Sequence, residues 1–306
     1  MKYNKIVLAG GNGYLGNVLA DYYKNKANEI IILSRKPLKT NDNIKTLLWD
    51  GKTEGEWLAE LENADMVINL CGKNVNCRYN EKNKSEIISS RVLPTELLGK
   101  VIQKLKTPPK LLINITSATI YRHAEDKPQD EMNGDFGNGF SVEVCKVWEK
   151  TFWEIPAPQT RKVALRLGIV LGNSDGVFPR LLNLVKLGIG GKQGNGNQFV
   201  AWIHELDTAR CTEWFLNNNE NGTFNCTAPE PIQNIYLMRA IRNTYNIPFG
   251  FPAPEWLLAI GAFFIGTEPE LILKSRWVIP KKLLDAGFNF EFSKAEDAVE
   301  ALYKNK

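Results

Sequence analysis

The opening of the chain, MKYNKIVLAGGNGYLG, constrains what everything after it can fold into. Lys5 to Ala9 is a short apolar, β-branched run that reads as a buried strand. It passes directly into Gly10, Gly13 and Gly16, spaced G-x-x-G-x-x-G, and then into NVLADYYKNK, whose apolar residues recur at helical spacing. Strand, glycine turn and helix in that order separate a dinucleotide fingerprint from a chance glycine triplet; a purely structural turn is the alternative. Each glycine has a task. Gly10 permits a tight turn, Gly13 lets backbone N–H groups approach a pyrophosphate, and Gly16 lets the helix pack close to the strand. The helix start then offers free donors and a positive dipole end to the phosphates. Asn12, Tyr14 and Leu15 fill the turn and are taken with the glycines as cofactor-binding positions.

The second strand, Glu29 to Ser34, ends in Ser34-Arg35-Lys36. A carboxylate there would take the ribose hydroxyls of NAD, whereas a basic residue accommodates the extra phosphate of NADP. The chain offers Arg35 and no acid, which predicts NADP(H); a solvated basic loop is the competing reading. Further strands are expected at 46–49, ending at Asp50, at Ala64–Leu70, ending in Asn69-Leu70-Cys71-Gly72, at Lys110–Ile115 and at Val163–Leu167. Between them lie a short acidic helix at 54–62, a long amphipathic helix region at 80–104 holding Arg91 and Pro94, and a helix at 141–154. Alternating strands and helices imply a parallel, doubly wound sheet with ligands outside the carboxyl ends of its strands. The loops at Gly10, Arg35, Asp50 and Cys71 therefore face one crevice. Past Gly168 the rhythm changes, and residues 188–198, GIGGKQGNGNQ, read as a mobile loop.

The chain resembles the extended short-chain dehydrogenase/reductase superfamily, the NAD(P)-dependent epimerases and dehydratases. It is most similar to the epimerase-family branch with a C-terminal domain of unknown function. GGNGYLG, Ser34-Arg35, NLCG (69–72), SATIY (117–121), LRLGIVLG (165–172), GNGNQ…WIH…D (194–207), GTFN (222–225) and PKKLLDAGFNF (280–290) carry the resemblance, over essentially the whole length. It implies an α/β, Rossmann-type doubly wound parallel sheet spanning 1–170, with 205–226 returning to it. A smaller C-terminal α+β substrate lobe would occupy 171–306. Catalysis in the superfamily rests on a Ser-Tyr-Lys set in which the lysine lowers the tyrosine pKa, because a free phenol titrates near 10. Ser117 matches the serine and Lys146 the lysine, but the residue four before Lys146 is Val142. Tyr121 is the nearest substitute for the missing shuttle, with a cofactor-packing or core aromatic as the alternative. Glu131 and Glu143 are carboxylates that could face the crevice; Cys71 reads as a packed thiol and His204 as a structural histidine.

The five cysteines form no C-x-x-C pair and are odd in number, which favours a reduced, cytoplasmic setting over a disulfide framework. Two histidines exclude a histidine-rich metal site, and a net charge of +4 without a basic stripe gives no sign of nucleic acid. The apolar run Trp256–Gly266 is too short to span a bilayer and reads as a buried helix, with a membrane-touching or partner surface as the other reading. The sequence thus predicts an NADP(H)-binding oxidoreductase or epimerase acting on a small polar substrate, a nucleotide sugar among the candidates, as a monomer or a homodimer with no nucleic-acid or membrane partner. A non-catalytic NADPH sensor or docking protein is the alternative.

Overall fold

Strand β1 (Tyr3–Ala9) is buried on both sides, and its side chains divide by parity. Ile6 and Leu8 join one hydrophobic core, Val7 and Ala9 the other. The same division runs through β2 (Ala27–Ser34), β4 (Met66–Asn69) and β5 (Leu111–Ser117), so a period of two places a core on each face of one sheet. These strands, with β3 (Ile44–Leu48), β6 (Arg161–Leu167) and β10 (Gly222–Cys226), form a seven-stranded sheet in the order β10-β6-β5-β4-β1-β2-β3. All its pairings are parallel. The computed structural model describes residues 2–36, 43–258 and 273–305.

Helices cover both faces, as a parallel sheet requires. On one side lie α1 (Tyr14–Tyr23), through Leu19, Ala20 and Tyr23, and α5 (Glu205–Asn217), through Ala209, Cys211 and Phe215. On the other lie α2 (Glu81–Ile102), through Leu97, Leu98 and Val101, and α3 (Phe140–Trp153), through Phe152. The expected acidic helix is a 3₁₀ segment, Glu56–Leu61, anchored by Trp57 and Leu61. Pro94 lies inside α2 as expected.

A third core belongs to the later part of the chain. It joins α4 (Val177–Lys186), α6 (Asn234–Thr244) and α8 (Ala295–Lys304) around Leu171 of β7 (Ile169–Leu171) and Trp202 of β9 (Trp202–His204). Strands β8 (Phe199–Val200) and β11 (Ile232–Gln233) pair antiparallel, and α7 (Lys281–Asp285) packs Leu283 back onto the sheet. The glycine-rich 188–198 stretch has no helix or strand, yet it is not loose. Gly191 and Gly194 donate to the carbonyls of Phe251 and Ala253 at 3.0 and 2.9 Å, and Gln193 and Gln198 are buried. Of the run expected as a buried helix, Trp256 and Leu257 are exposed, and residues from 259 to its end lie outside the described residues. Among the described residues no helix is long and apolar enough to cross a membrane. All five cysteines are free thiols.

Candidate functional site

The strand order reverses between β1 and β4, and the loops at their carboxyl ends open the crevice where ligands of doubly wound sheets bind. Gly10 has φ +76°, and a Cβ there would fall 2.8 Å from the Cys71 sulfur. A Cβ on Gly16 would lie 2.0 Å from the Gly11 carbonyl oxygen, so the helix sits directly on the turn. Gly13 is different: a Cβ there meets nothing within 4 Å. Gly13 is also the N-cap of α1, which has no side-chain cap and no acid in its first turn. An uncapped helix start beside open space fits a dinucleotide's pyrophosphate.

Neighbouring loops converge on this turn. Asn12 donates to the Lys36 carbonyl at 3.3 Å, tying the glycine turn to the end of β2. Ser34 holds that end through Lys36, accepting from its N–H and donating to its carbonyl, each at 3.2 Å. Arg35 is exposed and makes no hydrogen bond or ion pair among the described residues. Leu70 donates to the Ala9 carbonyl at 2.8 Å, which brings the Cys71–Gly72 loop alongside. Burial pushes the Cys71 thiol up to about 12, against the opposing charges of Arg35 and Arg91, so it is a packed thiol rather than a nucleophile. Arg91 lies over Trp148 at 5.1 Å and donates to the carbonyls of Lys73 and Ile87 at 3.1 and 2.9 Å. Its guanidinium borders Gly72, where an added Cβ would lie 3.0 Å from Cζ.

Three expected cofactor residues use their side chains internally. Asn69 is buried, donates to Asn114 and Thr95 at 2.7 and 2.9 Å, and accepts from the Cys71 N–H at 3.1 Å. It shapes the loop, and its amide is not free for a ligand. Tyr14 donates its hydroxyl to Glu205 of α5, and Leu15 packs into the core of that face.

Ser117 ends β5 and caps the short 3₁₀ turn Ala118–Ile120, with its Oγ 3.0 Å from Thr119 Oγ1. The turn packs against α3. Tyr121 departs from expectation. It is fully buried, accepts from Arg166 at 2.8 Å and donates to Asn225 Oδ1 at 3.0 Å. Burial pushes its pKa up to about 12, outweighing the lowering effect of the Arg166 charge and of its bonds to Asn225 and Arg166. Its hydroxyl is taken up by these two partners and closed off from solvent, the surroundings of a core tyrosine. Val142 is fully buried. Lys146, one turn on, is partly exposed and bonded to Glu143 at 2.9 Å and to the Gly137 carbonyl at 3.3 Å. Ser117 and Tyr121 thus flank one turn, and among the described residues no hydrogen bond links either of them to Lys146.

Beneath Ser117 lies a network that the sequence reading missed. Arg166 donates bidentately to Glu149 at 2.8 and 2.7 Å, and Thr116 donates to the same carboxylate at 3.0 Å. An arginine inside the apolar run VALRL signals a hidden partner, since a buried charge requires one. Glu131 is also spent: its carboxylate accepts from the N–H groups of Asn225 and Lys282 at 2.7 and 3.3 Å. Burial raises its pKa, outweighing those lowering bonds. His204 caps α5 by accepting from the Leu206 N–H at 3.1 Å and lies against Phe292, and burial lowers its pKa to about 4.

A doubly wound parallel sheet with a glycine turn at its switch point defines the Rossmann class of nucleotide-binding folds. The chain belongs, more narrowly, to the NAD dependent epimerase/dehydratase family, whose profile matches residues 6–227; residues 253–302 match a domain of unknown function, DUF1731. It is 31% identical to the epimerase family protein YfhF of Bacillus subtilis, over 98% of each chain. The crystal structure of the human epimerase family protein SDR39U1 (isoform 2) with NADPH superimposes with a TM-score of 0.87 at 28% identity, covering 99% of this chain and 100% of the human one. The fold also matches a nucleoside-diphosphate sugar epimerase from Corynebacterium glutamicum, at TM-score 0.78 and 24% identity, over 99% of this chain and 59% of that one.

Proposed function

We propose that this chain is an NADP(H)-binding member of the family that works without the tyrosine relay, on a small polar substrate with nucleotide sugars among the candidates. The observation that carries the reading is the open space at Gly13 beside an uncapped helix and an exposed Arg35 that bonds nothing among the described residues. The turn from Gly10 to Gly16 would receive the pyrophosphate on backbone donors, Arg35 the ribose phosphate, and the Cys71–Gly72 loop with Arg91 the wall of the site. Hydride exchange is the chemistry that a bound nicotinamide supplies. Ser117 would position the substrate oxygen. With Tyr121 in the core, its proton would pass through solvent or Lys146. The similarity to the NADPH-bound human protein supports the choice of NADP(H). On this reading residues 1–170 with 205–226 are the cofactor unit, and the rest of 171–306 is the substrate lobe. We place the protein in the cytoplasm.

A non-catalytic NADPH-responsive protein is the second reading, favoured by Val142 and the buried Tyr121. Energy transfer from the eight tryptophans to the nicotinamide gives the first test, a titration with NADPH and NADH. Tight NADPH and weak NADH are expected, and binding of neither overturns the proposal. Gly13→Ala sharpens it. The Cβ has room in the protein, so stability should change by no more than about 1 kcal/mol, while NADPH affinity should fall at least about tenfold. A panel of carbonyl compounds and nucleotide sugars then separates the readings, because only an enzyme consumes bound NADPH. Val142→Tyr is a poor restoration test, since it overfills a closed position.

A further inference from the structure

The strongest feature outside the crevice is a strip of the later lobe where extended chain is laced together. Phe251 donates to the Gly188 carbonyl at 2.8 Å and accepts from the Gly191 N–H at 3.0 Å, and Ala253 donates to the Lys192 carbonyl at 2.9 Å. The contact is backbone against backbone: a Cβ on Gly250 would lie 2.6 Å from the Gly190 carbonyl carbon. Side chains on either side are left outside. Leu187, Ile189, Phe249, Phe251 and Trp256 are between 45% and 73% exposed. Pro248, Pro252 and Pro254 stiffen the presenting segment. Large apolar side chains held out in one strip mark a contact surface rather than ordinary exposure.

The charge around the strip identifies what it fits. Residues 177–203 and 231–254 contain no Asp or Glu, yet carry Arg180, Lys186, Lys192, Arg239 and Arg242. Those five charges exceed the +4 of the whole chain. Lys186 adjoins Leu187, Lys192 is laced into the strip, and Arg242 reaches it by donating to the Gly190 carbonyl at 2.6 Å. Arg239 lies near enough to lower the Arg242 pKa, although burial is the larger cause. Glu255, next to Trp256 and with its Cγ 3.5 Å from where a Cβ on Gly194 would lie, is the acid at the edge of the strip. Exposed aromatic and aliphatic groups with Lys186, Lys192 and Arg242 beside them, and Glu255 at one edge, match the acyl boundary and phosphate layer of an anionic bilayer. We propose that this strip is a peripheral docking surface for an anionic lipid membrane.

Co-sedimentation of the full chain with vesicles of phosphatidylcholine, with and without phosphatidylglycerol, tests this. Binding to the anionic vesicles alone is expected, weakening as salt rises. Phe249→Ser/Phe251→Ser/Trp256→Ser should weaken it at least about tenfold through lost apolar burial. Lys186→Gln/Lys192→Gln should weaken it about fivefold for each charge removed. These positions are exposed, so melting temperatures and NADPH binding should stay at wild-type values. No vesicle binding, equal binding to neutral vesicles, or unchanged binding by the variants would overturn the assignment. So would a dimer that the aromatic variant dissociates without any effect on vesicles, which would make the strip a face between copies of this chain.

Discussion

Two halves of one sheet edge meet at the crevice, and they are built on opposite plans. On the half around β1, β2 and β4, Gly13 borders open space, α1 has no capping side chain, and Arg35 is exposed and bonds nothing among the described residues. On the half formed by β5, β6 and α3, chemistry-bearing side chains bond one another. Tyr121, Arg166, Glu149, Thr116 and Asn225 form a closed set, and Val142 fills the position that the superfamily pattern gives to tyrosine. A polar group inside a protein is available to a ligand only to the extent that the protein has not already satisfied it. On the function proposed above, the contrast is that of a chain equipped to hold a dinucleotide and sparsely equipped to move protons beside it.

The most forceful way to break the comparison is to open the closed half. Arg166→Ala leaves Glu149 buried without its cation and should cost about 3–5 kcal/mol in denaturant unfolding, while NADPH affinity of the folded protein stays at the wild-type value. A parallel loss of affinity would mean that the two halves are one site. On the open half, Arg35→Ala should weaken NADPH about tenfold, the lower end for a charge-assisted bond at an exposed position, and leave NADH unchanged. Equal loss for both cofactors would remove Arg35 as the phosphate reader. The smallest effect on function is expected for Tyr121→Phe: about 1–3 kcal/mol of stability, because Asn225 Oδ1 and an Arg166 N–H lose a buried partner, and no change in NADPH turnover on any substrate the panel identifies. A hundredfold loss of turnover or more would return the phenol to proton transfer.

Local pattern made most of the sheet legible. Buried strands announce themselves as short β-branched runs, and Gly10 and Gly16 occupy the tight turn and the close helix contact that their spacing implied. What pattern could not show are partners far apart in the chain. Tyr121 meets Asn225 across 104 residues and Tyr14 meets Glu205 across 191. A tyrosine at the end of a catalytic-edge strand looks alike whether its hydroxyl faces substrate or asparagine, and only the tertiary fold decides. The glycine-rich 188–198 stretch misled for a related reason. Glycine there serves close backbone contact with residues 250–253 rather than freedom of movement.

The late return of β10 bears on how the molecule can be made. Residues 222–226 pair with 163–167, so the outermost strand of the sheet leaves the ribosome only after the 168–221 excursion has been synthesised. Until then β6 is a bare edge offering unpaired N–H and C=O groups to any neighbouring strand, and the Tyr121 hydroxyl lacks its acceptor on Asn225. A chain released near residue 170 would therefore be an adhesive fragment rather than a small Rossmann domain. Pairing across so long a separation also slows folding.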